Sequence, residues 1–556
     1  MASNWFKRLK DNNFGRSNDE LHDIEEILGK NKLDRDKLEK IIIQLKQLDE
    51  LNVQSRKDFP KKLKYISIAD LSRVYFKYIL WPEWYDVELT YKDIIGLNLM
   101  NLFEGNRIRG SYGVVNVTII TDPLNSCIYM CVFCPHGPHE GVYKVPISYD
   151  MKEPAVARGS RVNFNLIAQI RTRIKDLCLS GVIRRELQTD NTWKTLTKID
   201  VRLAGGTFNS YPIEKQNEFI QHVYYAVHTI DCTDNDMPQI SSLDYQIQYH
   251  CDGLSEVKIV GFSVETRPDE ISHETIERFN DYMLTWIELG IQTGAVTNNL
   301  NMFNKEHNKI LKKIKRGHDT RASIKAITLL KFNGFKVLGH FMQDLPGTTP
   351  ELDMQVFKNS KIRNESFFQE YLVLICMMLF TGLHFMCKSK YIIIKIICTF
   401  IFYYFVNKPI IIIQCIPNRC DHIKIYPTMK LPYTEMESWG KDKWPRYAEE
   451  QNGKILMNVL CNIVASLPPW VRIARLIRDF EKASEKNEYQ GYDSETMLSN
   501  MGQLVTEKLK KDNIKCQEIK GREIGKKSVD LNKLTFKIYS YEDGLEYSEY
   551  AGTEYF

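Results

Sequence analysis

The chain lacks a dominant charge. Its 75 Lys and Arg against 70 Asp and Glu leave a net +5, too little to demand a nucleic-acid partner, although local basic patches stay open. It lacks an apolar leader: "MASNWFKRLKDNN" begins charged and has no hydrophobic centre, so no secretory signal is expected. It lacks the cysteine arithmetic of a disulfide scaffold, because its 13 cysteines are odd in number and irregularly spaced. That usage points to a reducing compartment, cytoplasm or nucleus. It also lacks a second Cys-x2-Cys pair beyond Cys131 and Cys134, which argues against a two-knuckle zinc site. The 556 residues leave room for two or three domains with cores of their own.

What is present changes texture along the chain. Residues 21–52 carry Leu38, Ile41, Ile42, Leu45 and Leu48 at helical spacing between lysines and acids. "FPKKLKYISIADLSRVYFKYI" adds a second basic, amphipathic stretch. Residues 1–105 are therefore expected to form a helical module whose basic face is either solvated or turned to RNA. From Tyr112, short β-branched runs alternate with amphipathic segments. "YGVVNVTII", "IDVRLAGGTF", "VKIVGFSVETRP", "MLTWIELGIQTG", "FKVLGHFMQDLPG" and "HIKIYPT" read as buried strands ending in polar or Gly-rich loops. "FNLIAQIRTRIKDLCL" and "TRASIKAITLLKFNGF" read as helices between them. Such alternation predicts parallel βα units, an open sheet or a barrel, with chemistry at the C-terminal ends of the strands.

Two regions break this pattern. Residues 371–416 hold apolar runs of 17 and 16 residues, interrupted by His384 and Lys395 and separated by "KSK". They are short for a bilayer span and have no amphipathic period. At the other break, "KIYSYEDGLEYSEYAGTEYF" (537–556) reads as the opening of a new β-rich unit.

The densest chemistry is "CIYMCVFCPHGP", which places Cys127, Cys131 and Cys134 within eight residues. A structural zinc site would need a fourth ligand, for which His136 or His139 stands nearby; three inert thiols are the other bland reading. Three thiolates suit a 4Fe–4S cluster with one iron left open to a ligand. Cys-x3-Cys-x2-Cys after the first strand of a βα barrel is the radical S-adenosylmethionine signature. "LAGGTF" follows, where Gly205, Gly206 and Thr207 expose backbone groups to close approach; in radical-SAM enzymes such a stretch binds the methionine end of the cofactor. Glu265, Arg267 and Gln292 fall at later strand ends, each readable as a ligand or as a structural polar residue.

"SYDMKEPAVARGSRVNFN", "LAGGTFNSYP", "SVETRPD", "RGHD", "GHFMQDLPGTTPELD", "KIYPT", "PPWVRIARLIRDF" and "CQEIKGREIG" occur in this order. Together they resemble the catalytic subunit of Elongator, a radical-SAM and acetyltransferase family that modifies the wobble uridine of tRNA. The resemblance runs from about Arg107 to Gly525, with residues 365–416 excepted. It implies an α/β fold: a radical-SAM, partial TIM-like barrel over 106–480, an N-terminal helical module facing tRNA, a linker at 481–529, and at 530–556 the start of an acetyltransferase-like (GNAT) domain. It implies a tRNA uridine(34) 5-carboxymethyl synthase using a 4Fe–4S cluster, S-adenosylmethionine and acetyl-CoA as co-substrate. A radical on the acetyl carbon would add to uridine C5, and hydrolysis would free the product. The flipped uridine would enter the barrel mouth. Partners would be the tRNA anticodon loop and other Elongator-like subunits, with a homodimer inside the complex.

Carried over residue by residue, Cys127, Cys131 and Cys134 would hold the cluster, and Gly205, Gly206, Thr207, Glu265 and Gln292 would hold S-adenosylmethionine. Lys198 would contact acetyl-CoA, with a solvated strand-start lysine as its plain alternative. Lys424 in "KIYPT" and His318 in "RGHD" are the catalytic candidates at the barrel mouth. Arg472, Arg475 and Arg478, three apart, would share one face toward tRNA phosphates, or else pair with Asp479 and neighbouring acids.

The chain departs from the family in three places. Thr121 stands near where eukaryotic members put the first cluster cysteine, leaving Cys127 as the third thiol. Residues 364–416 form an insertion, read first as translated intron and second as a membrane hairpin; only the hairpin would make a membrane a partner. The acetyltransferase domain is expected to be incomplete, so full modification by this chain would be poor. Competing functions are another radical-SAM tRNA modifier, such as a methylthiotransferase, which would need three further clustered cysteines, and a catalytically dead tRNA-binding scaffold, which would not need Cys127, Cys131 and Cys134.

Overall fold

The computed structural model describes residues 35–51, 71, 75, 99, 113–123, 127–135, 145–149, 153–179, 182–189, 193–232, 237–294, 302–357, 420–431, 433–476, 501–523, 538–540 and 553–555. Arg478, His136, His139 and the 364–416 insertion lie outside them. Among the described residues no helix is long and apolar enough to cross a membrane.

Seven strands share one parallel sheet in the order β1-β3-β4-β5-β6-β7-β8. They are β1 (Val114–Ile120), β3 (Trp193–Ala204), β4 (Val257–Thr266), β5 (Trp286–Gln292), β6 (Lys336–Phe341), β7 (His422–Ile425) and β8 (Arg472–Leu476). Strand β2 (Arg184–Leu187) adds an antiparallel flap against the start of β3. Neighbours along the path follow chain order, so the sheet winds in one direction as a partial βα barrel, with β1 and β8 at its edges. The strand ends predicted from the sequence agree closely, except that β3 begins five residues earlier than Lys198 because β2 pairs with it.

Alternation within the strands decides the two faces. Val115, Val117 and Ile119 of β1, Ile199, Val201 and Leu203 of β3, and Ile287, Leu289 and Ile291 of β5 are buried together. Helices α3 (Leu166–Leu179) and α4 (Ile213–His228) cover that outer face with Ile167, Ile170, Ile174, Ile220 and Val223. Each such aliphatic side chain contributes about 1.5–3 kcal/mol by leaving water. The intervening residues, among them Arg202, Glu265, Glu288 and Lys424, project to the inner face. That face is polar, so it serves a site rather than a core.

Helices α5 (Leu243–Cys251), α6 (His273–Asp281), α7 (Met302–Lys313) and α8 (Thr320–Phe332) complete the connections up to β6. Short side chains start several of them: Ser242, Ser272 and Asp319 each accept a hydrogen bond from a first-turn amide. Earlier in the chain lie α1 (Arg35–Glu50) and α2 (Pro154–Ser160). Helix α1 buries Ile42, Leu45 and Leu48 in the main core, as the helical spacing predicts. After β6 come α9 (Pro350–Gln355), α10 (Lys454–Ser466) and α11 (Met501–Lys511). Strands β9 (Ile538–Ser540) and β10 (Thr553–Tyr555) pair antiparallel within the segment expected to open a β-rich unit.

Candidate active site

The cysteines stand on the loop after β1. Cys131 and Cys134 are buried and Cys127 is half-buried. The Cys134 amide donates to the Cys131 carbonyl (3.0 Å), closing a tight turn. The loop is stitched down by Val132, whose amide donates to Ile314 O and whose carbonyl accepts from the Met436 amide, both at 3.2 Å. Val132 itself is buried against Ile310, Ile314, Leu345, Met436 and Trp439.

Two guanidiniums converge on Cys131. Arg267 from the end of β4 places Nη1 3.7 Å from its sulfur, and Arg316 places Nη1 at 3.5 Å. Arg267 is held by Asp269 (3.0 and 2.8 Å) and lies over the Tyr129 ring with its central carbon 3.4 Å from the ring centre. Arg316 donates to Gly290 O (2.6 Å) and through Nε to His318 Nε2 (3.1 Å). A Cβ at position 290 would meet Arg316 Nη2 at 2.5 Å, so a larger residue there would push the guanidinium aside. The Cys131 thiol is lowered to about 5 by a hydrogen bond from Cys134 and by both arginines, against the opposing effect of burial. Cys134, hydrogen-bonded to Cys131 and buried, is pushed up.

His318, a catalytic candidate from the sequence, is a buried acceptor for Arg316. Its Nδ1 lies 3.2 Å from the Asp319 carbonyl, which fixes the neutral tautomer with Nε2 as acceptor. Burial and the Arg316 charge lower it to about 4. Its role in this geometry is to aim Arg316. Within "RGHD" the arginine, Arg316, reaches the sulfur, and His318 stands behind it.

The glycine pair follows β3. Gly205 has φ +147°, and a Cβ there would fall 1.7 Å from Thr121 Oγ1. Thr121 is itself buried and hydrogen-bonded to the Tyr211 hydroxyl (3.0 Å), so it serves as the packing partner of Gly205. Thr207 Oγ1 lies 3.8 Å from Cys127 Sγ, which brings the glycine turn beside the cysteine loop. The amides of Gly205 and Gly206 point to Glu265 Oε2 at 3.4 and 3.3 Å. Tyr149 donates to the same oxygen at 2.5 Å. Gln292 ends β5 with a left-handed φ of +71°.

On the inner face, register sets Glu265 directly opposite Glu288. Two carboxylates so placed repel. Lys424 reconciles them: its ammonium pairs with Glu288 and stands 3.9 Å from Glu265. His340 Nε2 donates to Glu288 Oε2 (2.9 Å), Ser263 Oγ lies 3.4 Å from the other oxygen, and Arg202 approaches to 4.0 Å. Burial opposes ionisation of Glu288, yet Lys424, His340 and Arg202 hold its carboxyl well below the usual range. The charge of Glu288 raises Lys424 despite burial. His340 is lowered by burial and by Lys424. Glu265, Glu288 and His340 offer ligand atoms within 4.8 Å of one another, but the Lys424 ammonium already supplies the positive charge a divalent ion would bring.

Over this geometry the relatives can be read. No family model matches the chain. The tRNA uridine(34) acetyltransferase of Methanocaldococcus jannaschii is 27% identical over 428 residues, covering 77% of this chain and 61% of that protein. Elongator complex protein 3 of Dictyostelium discoideum is 25% identical over 451 residues, covering 80% and 63%. The chain is similar to Elongator complex protein 3 over about four fifths of its length. It spans less than two thirds of the length of these relatives. The solved archaeal Elp3 of Methanocaldococcus infernus, lacking its first 46 residues, superposes with a TM-score of 0.48 at 22% identity over 77% of this chain and 71% of its own.

The structure brings Cys127, Cys131, Cys134, Thr207, Gly205, Gly206, Glu265, Lys424 and His318 into one connected region at the mouth and inner face of the sheet. Lys198 is not among them. It lies exposed six residues before the end of β3, on the order of 20 Å from the glycine turn. Arg472 and Arg475 lie on a strand, where a spacing of three would send them to opposite faces. A bulge at Ala474 restores a shared face, because Arg472 pairs with His422 and Arg475 with Lys424. Arg472 is ion-paired with Glu523. Sequence reasoning missed Arg316, Glu288, His340 and Arg202. The signal for Glu288 was a lone acid at an alternate position of "WIELGIQ", which period two assigns to the inner face.

Proposed function

We propose that this chain carries the radical S-adenosylmethionine core of a tRNA wobble-uridine carboxymethyl synthase, working on the anticodon loop within an Elongator-like assembly of cytoplasm or nucleus. The observation that carries it is the three-cysteine loop at the C-terminal end of a parallel sheet, with Arg267 and Arg316 drawn to Cys131. The name tRNA uridine(34) acetyltransferase, carried by one of the relatives, supports the tRNA substrate and is compatible with acetyl-CoA as co-substrate.

The donor set fits a 4Fe–4S cluster. Three thiols stand on one loop, one is already acidic, and two buried cations lie against it to balance an anionic cluster. When bound, the cluster supplies the electron that cleaves S-adenosylmethionine to a carbon radical. Gly205, Gly206 and Thr207 would hold the methionine end of that cofactor, with Glu265 binding alongside from β4 and Gln292 from β5. Lys424 orients and neutralises the paired carboxylates on the inner face. Lys198, exposed on the first half of β3, is a proposed contact of acetyl-CoA, and Arg472 and Arg475, on the edge strand β8, of tRNA.

Anaerobic reconstitution with iron and sulfide tests this reading. The wild-type chain should take up about four iron atoms and release 5′-deoxyadenosine from S-adenosylmethionine when tRNA and acetyl-CoA are present. The Cys127→Ala, Cys131→Ala, Cys134→Ala triple variant should take up none. A colourless wild-type protein, or one that takes zinc instead, overturns the reading.

A further inference from the structure

We propose that His340 is a general base that activates water against an acyl thioester, with Glu288 as its positioning residue and Lys424 as the cation facing the developing oxyanion. The substrate class rests on the acetyl-CoA reading above; the base itself rests on geometry.

His340 donates Nε2–H to Glu288 at 2.9 Å. The neutral ring therefore presents Nδ1 as a bare lone pair, and that atom has no partner among the described residues. The side chain keeps 16% exposure and stands edge-on to the Tyr426 ring, 6.0 Å away. A carboxylate that fixes one imidazole nitrogen and leaves the other open is the arrangement of a hydrolytic base. It also answers a structural question. Glu288 already has Lys424, Arg202 and Ser263 within reach, so charge balance does not call for an imidazole as well. The groups that face His340 are Glu288, Glu265, Lys424 and the Tyr426 ring. Burial and the Lys424 ammonium keep it unprotonated near neutrality, as a base must be. Lys424 pairs with His340 across the β6–β7 ladder, and its ammonium meets the same Glu288 oxygen that takes the imidazole N–H, so a cation stands in the base's own network to draw the charge of a carbonyl oxygen.

The step balances without a further reagent. Water gives a proton to His340 Nδ1 while its oxygen bonds to the carbonyl carbon. The C–S bond then breaks, and the thiolate leaves with that proton, giving a carboxylic acid and a thiol.

The probe is S-acetyl-N-acetylcysteamine, a thioester small enough to need no coenzyme pocket, offered to the full chain with thiol release followed by a chromogenic disulfide. His340→Asn should lower the rate at least about 100-fold, with iron content within twofold of wild type. In His340→Ala, free imidazole should restore part of the rate, which a purely structural histidine would not allow. Glu288→Gln should keep a slower rate and move the acid limb of the pH profile downward, since the Glu288 charge raises His340. Wild-type hydrolysis no faster than buffer, or equal rates in wild type and His340→Asn, overturns the proposal while leaving the iron reading intact. An iron-free protein with His340-dependent hydrolysis has the opposite meaning, because this step uses no cluster. Where His340→Asn does not fold, absence of imidazole rescue in a folded His340→Ala overturns it equally.

Discussion

At the scale of single residues, the site is governed by close approaches that tolerate one side chain. Gly205 combines a positive φ with a backbone pressed against Thr121. Gly205→Ala should therefore disrupt the turn that carries Thr207, lowering S-adenosylmethionine affinity by tenfold or more in equilibrium dialysis, and Thr121→Gly should partly rescue it. Arg316 has a narrower task. With His318 accepting its Nε–H, it holds a charge at Cys131 and ties the loop to Gly290. Arg316→Ala is expected to raise the Cys131 thiol and to speed loss of iron to a chelator, measured as the bleaching rate of the reconstituted protein. Lys424 balances two opposed carboxylates on the inner face. Lys424→Met leaves them uncompensated, and a loss of about 3–5 kcal/mol in denaturant unfolding is expected.

At the scale of elements, the loops at the strand ends are pinned by buried polar groups. Asp319, the last residue of "RGHD", caps α8 by accepting from the Ala322 amide at 2.9 Å. Its place in the motif is thus a matter of helix initiation, and Asp319→Ala should cost about 1 kcal/mol. Asp353 in α9 takes hydrogen bonds from the Tyr447 hydroxyl (2.6 Å) and the Asp344 amide (2.7 Å). It thereby clamps the segment after β7 beneath the β6 loop. Burial pushes the Asp353 carboxyl from 3.8 to about 7. The folded state then holds the proton more tightly than the unfolded state does. Its stabilisation is complete below pH 3.8 and is lost as the pH rises through 7. Calorimetric melting temperatures should fall from pH 5 to pH 8, and Asp353→Asn should remove that part of the fall, worth a few kcal/mol.

At the scale of the whole molecule, β6 and β7 are parallel neighbours in register from Leu338–His422 to Phe341–Ile425. Such a pair needs a crossover of at least about 10–12 residues. Helix α9 and its flanks through Phe357 already supply one, so residues 364–416 exceed what the sheet requires. A chain with 364–416 deleted should fold, bind the same iron and show less aggregation on size-exclusion chromatography. Loss of soluble, iron-loaded protein in that deletion would mean that the segment completes the barrel.

The amino-acid order alone determined the alternation of strands and helices, because Val115, Val117 and Ile119 or Ile287, Leu289 and Ile291 bury one face at period two wherever they are. It also determined the three-thiol loop and the glycine turn, since both are local in the chain. What only the tertiary structure decided is the set of partners that chemistry requires across strands. Glu288 meets Lys424 at a separation of 136 residues, Cys131 meets Arg316 at 185, and Arg472 shares a face with Arg475 only through a bulge. Local pattern specifies which face a side chain takes. Register between distant strands specifies whom it meets there, and register is a property of the assembled sheet.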